Sequence, residues 1–193
     1  MSKANGLYAF VLKGEIAQDC VRRELHSRTP EPEDSADRIR NALPLDLVDD
    51  DFLASASKMA IVYSVISAFE NSARKFIQDC LLEKYGEKWW EDKVSKSIRE
   101  GADKRKSEEQ LHRYHASRGT SMIFYTQMGD LPTIIQSNWE AFSDYVPSVD
   151  WARQLFRAVE LSRNVIMHSG DLSMNDIVRV GVNIRDWLQQ VGG

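Results

Sequence analysis

The chain has 193 residues, a net charge of −4 at pH 7 and a hydrophobic content of 42 %. This length suits one domain with a core of its own, together with an extension, and the negative net charge argues against bulk electrostatic adhesion to nucleic acid. We find no uninterrupted apolar run near the ~20 residues of a membrane span and no signal peptide, so we expect no membrane partner. Cys20 and Cys80 lie far apart, which favours a reducing, cytoplasmic location without disulfides or metal ligands.

The predicted elements of the N-terminal quarter are helical. Apolar residues recur at helical spacing over residues 4–26, and Pro30 and Pro32 then interrupt the pattern. A short helix is predicted over 36–42, and 44–51 forms an acidic connector. We therefore divide the chain into an N-terminal helical extension with its connector, residues 1–50, and a helical domain, residues 51–193.

The longest predicted helix covers residues 52–85 and ends at Gly86, a residue type common just after helices. Its apolar face is wide, which is typical of a central core helix. Glu70 falls in the middle of an apolar stripe of this helix. A carboxylate in that position is either paired or costly to bury, so Glu70 is a candidate for a specific role.

Shorter helices are predicted over 89–106, 131–139, 151–168 and 174–190, and residues 107–127 read as a basic loop. Asp130 and Asp150 are the expected N-caps of two of these helices, and Ser173 with Asp176 resembles a capping box. The last helix is expected to bury Ile177, Val180, Ile184 and Leu188. Because no strand pattern is convincing, the predicted fold class is all-α.

A basic stretch between Lys93 and Arg118 contains eight cations and four acids. We predict that it contacts RNA, because basic groups attract phosphates and aromatic rings stack on unpaired bases. The candidate RNA-binding residues are Lys104, Arg105, Lys106, Arg113, Tyr114 and His115. A solvated helix face followed by a loop would have the same composition, and the sequence does not choose between these readings.

The sequence Arg163-Asn164-Val165-Ile166-Met167-His168 lies at the end of a predicted helix. Asn164 and His168 are one turn apart on its polar face, and Arg163 lies at the margin of that face. Arginine holds phosphate oxygens through its planar fork of donors, and histidine transfers protons near neutral pH. On spacing alone a structural interpretation is favoured, in which Arg163 pairs with Glu70 and His168 caps carbonyls at the helix end.

The chain resembles the HEPN superfamily, and within it the Swt-type subgroup, over roughly residues 51–190. Besides Arg163-Asn164 and His168-Ser169, the similar segments are Phe69–Ile77, Tyr85–Trp90, Gly129–Leu131, Asn138-Trp139 and Val182–Trp187. Val165 stands where the family often has a proline after Arg-Asn.

The resemblance implies a HEPN-type helical bundle with an extra N-terminal helical segment. It implies a metal-independent endoribonuclease without cofactors, of the kind found among toxins and phage-defence effectors. The site would be composite in a homodimer: Arg163 would hold the scissile phosphate of RNA, and His168 would transfer a proton as the ribose 2′-hydroxyl attacks. Asn164 would orient His168 or the phosphate, and Glu70 would position Arg163. An antitoxin or other regulatory protein is a further expected partner.

The superfamily also includes members that are not nucleases. The alternative is therefore a non-catalytic nucleotide-binding, RNA-binding or dimerisation module, in which Arg163 and His168 are structural.

Overall fold

The computed structural model describes residues 32–192, and side chains from residue 35 onward. Within this range the chain is all-α and contains no strand, so the predicted fold class is confirmed. The predicted helix over 4–26 lies outside the described residues. The α-helices are α1 (Pro32–Ala42), α2 (Asp50–Tyr85), α3 (Trp89–Lys93), α4 (Lys96–Gln110), α5 (Asp130–Ser137), α6 (Val149–Met167) and α7 (Met174–Val191). Short 3-10 helices cover Leu45–Leu47, Met122–Tyr125 and Trp139–Ala141.

The chain separates into two compact units between Leu53 and Ala54. The described part of the first unit consists of α1, the 3-10 helix Leu45–Leu47 and the start of α2. Its large apolar side chains, among them Ile39, Leu43 and Leu47, are exposed. All further description concerns the second unit, which carries every candidate site residue.

Helix α2 is the longest element of the second unit and supplies Ile66, Phe69, Ala73 and Ile77 to its core. Gly86 stops the helix with φ of 75°, a backbone conformation that glycine adopts without a Cβ clash. By length and composition alone α2 could also cross a membrane, with a mean hydropathy of 1.5 over its most apolar window. Only 17 % of that window is buried in the structure. The sequence shows no uninterrupted apolar run there, because Lys58 and the serines of α2 divide it.

Trp187 of α7 lies at the centre of the core and is fully buried. Its indole contacts the rings of Phe69, Phe76, Trp151 and Phe156, with centroids between 5.0 and 6.1 Å apart. The expectation that Leu188 is a core residue is wrong, since its side chain is 48 % exposed. Both residues continue the stripe formed by Val180 and Ile184, and the larger indole occupies the core because it buries more apolar area.

The predicted helix boundaries need three corrections. The helix expected over 89–106 is interrupted at Val94, whose extended backbone separates α3 from α4, and α4 continues to Gln110. The basic loop is therefore shorter than predicted and includes the 3-10 helix Met122–Tyr125. Gly129 and Ser148, rather than Asp130 and Asp150, occupy the N-cap positions of α5 and α6.

Helices α2 and α6 run in opposite directions. Glu70 near the middle of α2 meets Arg163 of α6. The segment that follows α6 meets the beginning of α2, where the Ser55 hydroxyl donates to Asp171 at 2.5 Å and the Leu172 amide to the Met59 sulfur at 3.3 Å. This order puts the C-terminal end of α6, with His168, alongside the part of α2 between Ser55 and Glu70.

Candidate functional site

A buried ion pair on α2 forms the floor of the site. Glu70 and Arg74 are four residues apart, so their side chains lie on the same helix face. Their side chains are only 10 % and 11 % exposed, and Arg74 Nη2 lies 2.5 Å from Glu70 Oε1. The same nitrogen donates to the Thr126 carbonyl at 3.0 Å. Burial lowers the pKa of Arg74, and the neighbouring Glu70 opposes this shift.

Arg163 approaches the same carboxylate from α6. Its Nε lies 3.6 Å from Glu70 Oε2, and its Nη1 lies 3.5 Å from Asn164 Oδ1. Both contacts are longer than ordinary hydrogen bonds, so the buried Nε of Arg163 has no hydrogen-bond partner among the described residues. Glu70 is thus shared by two guanidinium groups, one held closely and one loosely, which leaves one positive charge in excess at this point.

The pair of arginines faces a cavity of about 660 Å³. Helix α2 lines it with Tyr63, Ser67, Glu70, Asn71 and Arg74, and α6 lines it with Glu160, Arg163 and Asn164. Two further arginines enter from elsewhere: Arg105 of α4, whose Nη1 donates to the Tyr125 carbonyl, and Arg118 of the following loop. Arg105 Nη2 lies 3.8 Å from Asp130 Oδ2, and Arg118 Nε lies 2.5 Å from Glu109 Oε1.

Asn164 and His168 lie where the sequence predicts them, at the exposed end of α6. The His168 backbone N–H donates to the Asn164 carbonyl at 3.2 Å. Asn164 lines the cavity but His168 does not, and no hydrogen bond joins the His168 imidazole to another described residue. Within one chain the structure therefore brings Glu70, Arg163 and Asn164 together, whereas His168 lies one turn beyond them.

The predicted RNA-binding residues do not form one cluster. Arg105 belongs to the cavity just described, and Lys104 is 78 % exposed beside Glu108. Lys106, Arg113 and His115 line a second cavity of about 640 Å³, formed by the end of α4 and the loop that follows it. Tyr114 is 88 % exposed on the same loop.

Two residues of the cavity are absent from the predicted site residues: Arg74, and Arg118, which ends the basic stretch but was not among its candidate RNA-binding residues. Arg74 could have been found, because it lies four residues after the buried Glu70 and one turn along the same face. Arg118 carries no such signal, since only the path of the loop brings it to the cavity.

Potential metal ligands are scattered in this part of the chain. Among residues 32–192 no three His, Cys, Asp or Glu side chains lie close enough together to hold a metal ion.

Comparison with known families agrees with the sequence resemblance. A family model described as Swt1-like HEPN matches residues 65–192, which is more than half of the chain. The chain belongs to the Swt1-like HEPN family. No curated protein and no solved structure matches it. The Swt1-like HEPN match includes Glu70, Arg74, Arg163 and His168 together with the loop that carries Arg118.

Proposed function

We propose that this Swt1-like HEPN protein is an endoribonuclease that holds the scissile phosphate of RNA at Arg163. The observation that carries the proposal is that Arg74 and Arg163 share Glu70 beside an open cavity. Two cations and one carboxylate are one negative charge short of balance, and a phosphodiester supplies that charge. Arg163 is the more available of the two arginines, because its contacts are long and its side chain is 32 % exposed.

In the proposed reaction the ribose 2′-hydroxyl attacks the phosphorus atom. A bond forms from phosphorus to the 2′-oxygen and the bond to the 5′-oxygen breaks, which gives a 2′,3′-cyclic phosphate and a free 5′-hydroxyl. One proton leaves the 2′-hydroxyl and one is delivered to the 5′-oxygen, and His168 transfers a proton in this exchange. Arg163 stabilises the charge that develops on the phosphate oxygens, and Asn164 orients the phosphate or His168.

The separation of His168 from the cavity supports a site completed by a second copy of the chain. Apolar side chains are exposed on α6 and α7, the helices before and after His168, which suits a homodimer interface. They include Leu161, Val165, Met167, Met174, Val178 and Val182. In such a dimer Arg163 of one protomer would work with His168 of the other.

The decisive experiment is cleavage of labelled RNA by wild-type protein and by His168→Ala, with a chelator present. We expect the variant to lose about 10²–10⁴-fold in rate while its thermal melting stays unchanged, because the exposed imidazole has no partner to lose. Matched DNA should stay intact, since it lacks the 2′-hydroxyl. Absence of any RNA cleavage by the wild-type protein would overturn the proposal.

Mixing two inactive variants tests the composite site. A heterodimer of Arg163→Ala and His168→Ala retains one site with both groups intact, so mixing should restore about a quarter of wild-type activity at random pairing. Each variant alone stays inactive. A mixture as inactive as its components would show that Arg163 and His168 act within one protomer.

The loop that follows α4 is the proposed second contact with RNA, through Lys106, Arg113, Tyr114 and His115. Exposed cations bind phosphates and thereby make affinity fall with salt. We expect Arg113→Gln to weaken binding to RNA of any sequence. The salt slope, which is the slope of log affinity against log salt concentration, should become smaller by about 1. Lys104→Gln is the matched control: that ammonium lies beside Glu108 and lines neither cavity, so we expect a smaller change. Equal effects of the two substitutions would contradict a specific contact at this loop.

The ion pair between Arg163 and Glu70 favours one other function. If that pair is purely structural, the protein is a non-catalytic RNA-binding or dimerisation module. Binding of RNA by the wild-type protein without cleavage, at any concentration, would establish this second function.

A further inference from the structure

The arginine-lined cavity is larger than a single phosphate requires. Its volume of about 660 Å³ falls in the range of about 300–1,000 Å³ that is typical of ligand pockets. Along α2 its lining extends from Tyr63 to Arg74, which is about 16 Å at 1.5 Å per residue. A phosphate bound at Arg163 would fill only part of this space.

Positive groups occur at two places along the cavity. Arg163 lies beside Glu70 of α2. Because α6 runs antiparallel to α2, the chain continues from Arg163 to His168 in the direction of Tyr63. Arg105 and Arg118 line the cavity from α4 and the loop after it, and the Thr126 carbonyl that follows accepts from Arg74; each of these two arginines has an acidic neighbour, Asp130 or Glu109. A strand with its scissile phosphate at Arg163 therefore meets a second group of cations further along the cavity.

An aromatic ring lies in the same cavity. Phe124 contributes to the lining and is half-buried. Its ring is backed by Gly119, where an added Cβ would come within 3.1 Å of the ring atoms. Amide side chains of Asn71 and Gln127 complete the lining and are exposed. A fixed ring with amides nearby is a suitable surface for a nucleobase, which stacks on one face and hydrogen-bonds at its edge.

We propose that the cavity binds one whole unpaired nucleotide, with its base against Phe124 and its two flanking phosphates at Arg163 and Arg118. The inference rests on the proposed function, because it assigns this nucleotide to the RNA strand that is cut. A free nucleotide has the same chemistry, and the experiment separates the two sources. It follows that the protein selects RNA in which this nucleotide is unstacked, and that the base at this position affects affinity.

The test measures binding rather than cleavage. A fluorescent RNA hexamer with 2′-O-methyl groups throughout has no 2′-hydroxyl nucleophile, so its affinity can be measured by anisotropy with active protein. Abasic sugars are placed at each position in turn. The proteins are wild type, Phe124→Leu and the control Tyr145→Leu, whose exposed ring lies outside the cavity.

We expect one abasic position to weaken wild-type binding by at least about fivefold, as loss of base stacking does. Phe124→Leu should weaken binding of the intact hexamer by a similar factor and abolish the penalty at that position, whereas Tyr145→Leu should change neither. No position with such a penalty, or a penalty that persists in Phe124→Leu, would overturn the inference. Adenosine monophosphate that displaces the hexamer at equal concentration would overturn the assignment to RNA and indicate a free nucleotide.

A second variant covers the case in which Phe124→Leu fails to fold. Arg118 is 52 % exposed on a loop, so Arg118→Gln is expected to fold, to weaken the hexamer severalfold and to reduce the salt slope by about 1. An unchanged slope would count against the second phosphate site. Binding with the expected penalty but without cleavage of unmodified RNA would leave this inference standing and overturn the proposed function. Cleavage of unmodified RNA, with no binding penalty at any abasic position, would overturn this inference and leave the proposed function standing.

Discussion

Arg163 and His168 are five residues apart on one helix, yet their surroundings differ sharply. Arg163 reaches a buried carboxylate that also binds Arg74, and it lines a cavity. His168 is exposed at the helix end and lies outside that cavity. Substitution of Arg163 therefore changes both the packing and the proposed phosphate site, whereas substitution of His168 changes the proposed chemistry alone. The two halves of one short motif need different experiments.

The largest effect on stability is expected for substitutions of Glu70 and Arg74, the two residues next to Arg163. Glu70→Ala leaves the buried guanidinium of Arg74 and the partly exposed one of Arg163 without their carboxylate, and Arg74→Ala removes the closer of the two cations. Breaking a buried ion pair by removing one partner costs about 3–5 kcal/mol, so we expect losses of this size in the free energy of unfolding from urea titration. Glu70→Gln should cost less than Glu70→Ala, because the amide oxygen still accepts a hydrogen bond from Arg74.

Arg163→Ala sharpens this comparison. From the sequence alone, removal of Arg163 would leave Glu70 buried and unpaired and would cost several kcal/mol. The structure changes that expectation, because Arg74 still neutralises Glu70 at 2.5 Å. We expect a loss of about 1 kcal/mol or less, as for a half-exposed and loosely held pair. A loss equal to that of Arg74→Ala would show that Arg163 stabilises the buried Glu70 carboxylate more than its long distances indicate.

Much of the fold followed from local patterns in the sequence. The C-terminal ends of α2 and α6 depend on residues that act within one turn, such as Gly86 and Gly170, and these could be read directly. The position of Glu70 in an apolar stripe also predicted a partner. Burial of Trp187 instead of Leu188 could not be predicted, because both lie one turn beyond Ile184 and only the packed rings of Phe69 and Trp151 decide between them.

The candidate site was predictable to the extent that it lies on helices. Arg163, Asn164 and Glu70 meet because α2 and α6 pack in opposite directions, and their spacing already indicated the faces involved. Arg118 reaches the same cavity only through the path of the chain after α4, and Arg105 of α4 is held there by the Tyr125 carbonyl of that segment. Loop paths depend on contacts distant in sequence, such as Arg74 with Thr126, which no local pattern encodes.

A small effect on stability is also expected on the His168 side, where the chain turns into α7. Ser169 has φ of 59°, and Ser173 then caps α7 by accepting from the Asp176 amide. The Ser173 hydroxyl donates to the Asp176 carboxylate at 2.6 Å. This hydrogen bond is the main reason that the pKa of Asp176 is lowered, with Arg179 adding to it. We expect Ser173→Ala to lower the free energy of unfolding by about 1 kcal/mol, as loss of an N-cap does.

The same substitution should change how stability depends on pH. A carboxyl group with a lowered pKa in the folded state stabilises the protein above its unfolded pKa, and this contribution is lost as the pH falls through the folded pKa. Urea titrations at pH 7 and at successively lower pH should therefore show a smaller acid-side loss in Ser173→Ala than in wild type. Ser173→Thr, which keeps the hydroxyl, is the matched control and should follow the wild type. Parallel curves for Ser173→Ala and wild type would mean that the pKa of Asp176 does not depend on the cap.

RNA cleavage at pH 7 should persist in Ser173→Ala if the hydrogen bonds from His168 to Asn164 and from Gly170 to Val165 are enough to hold the end of α6 in place.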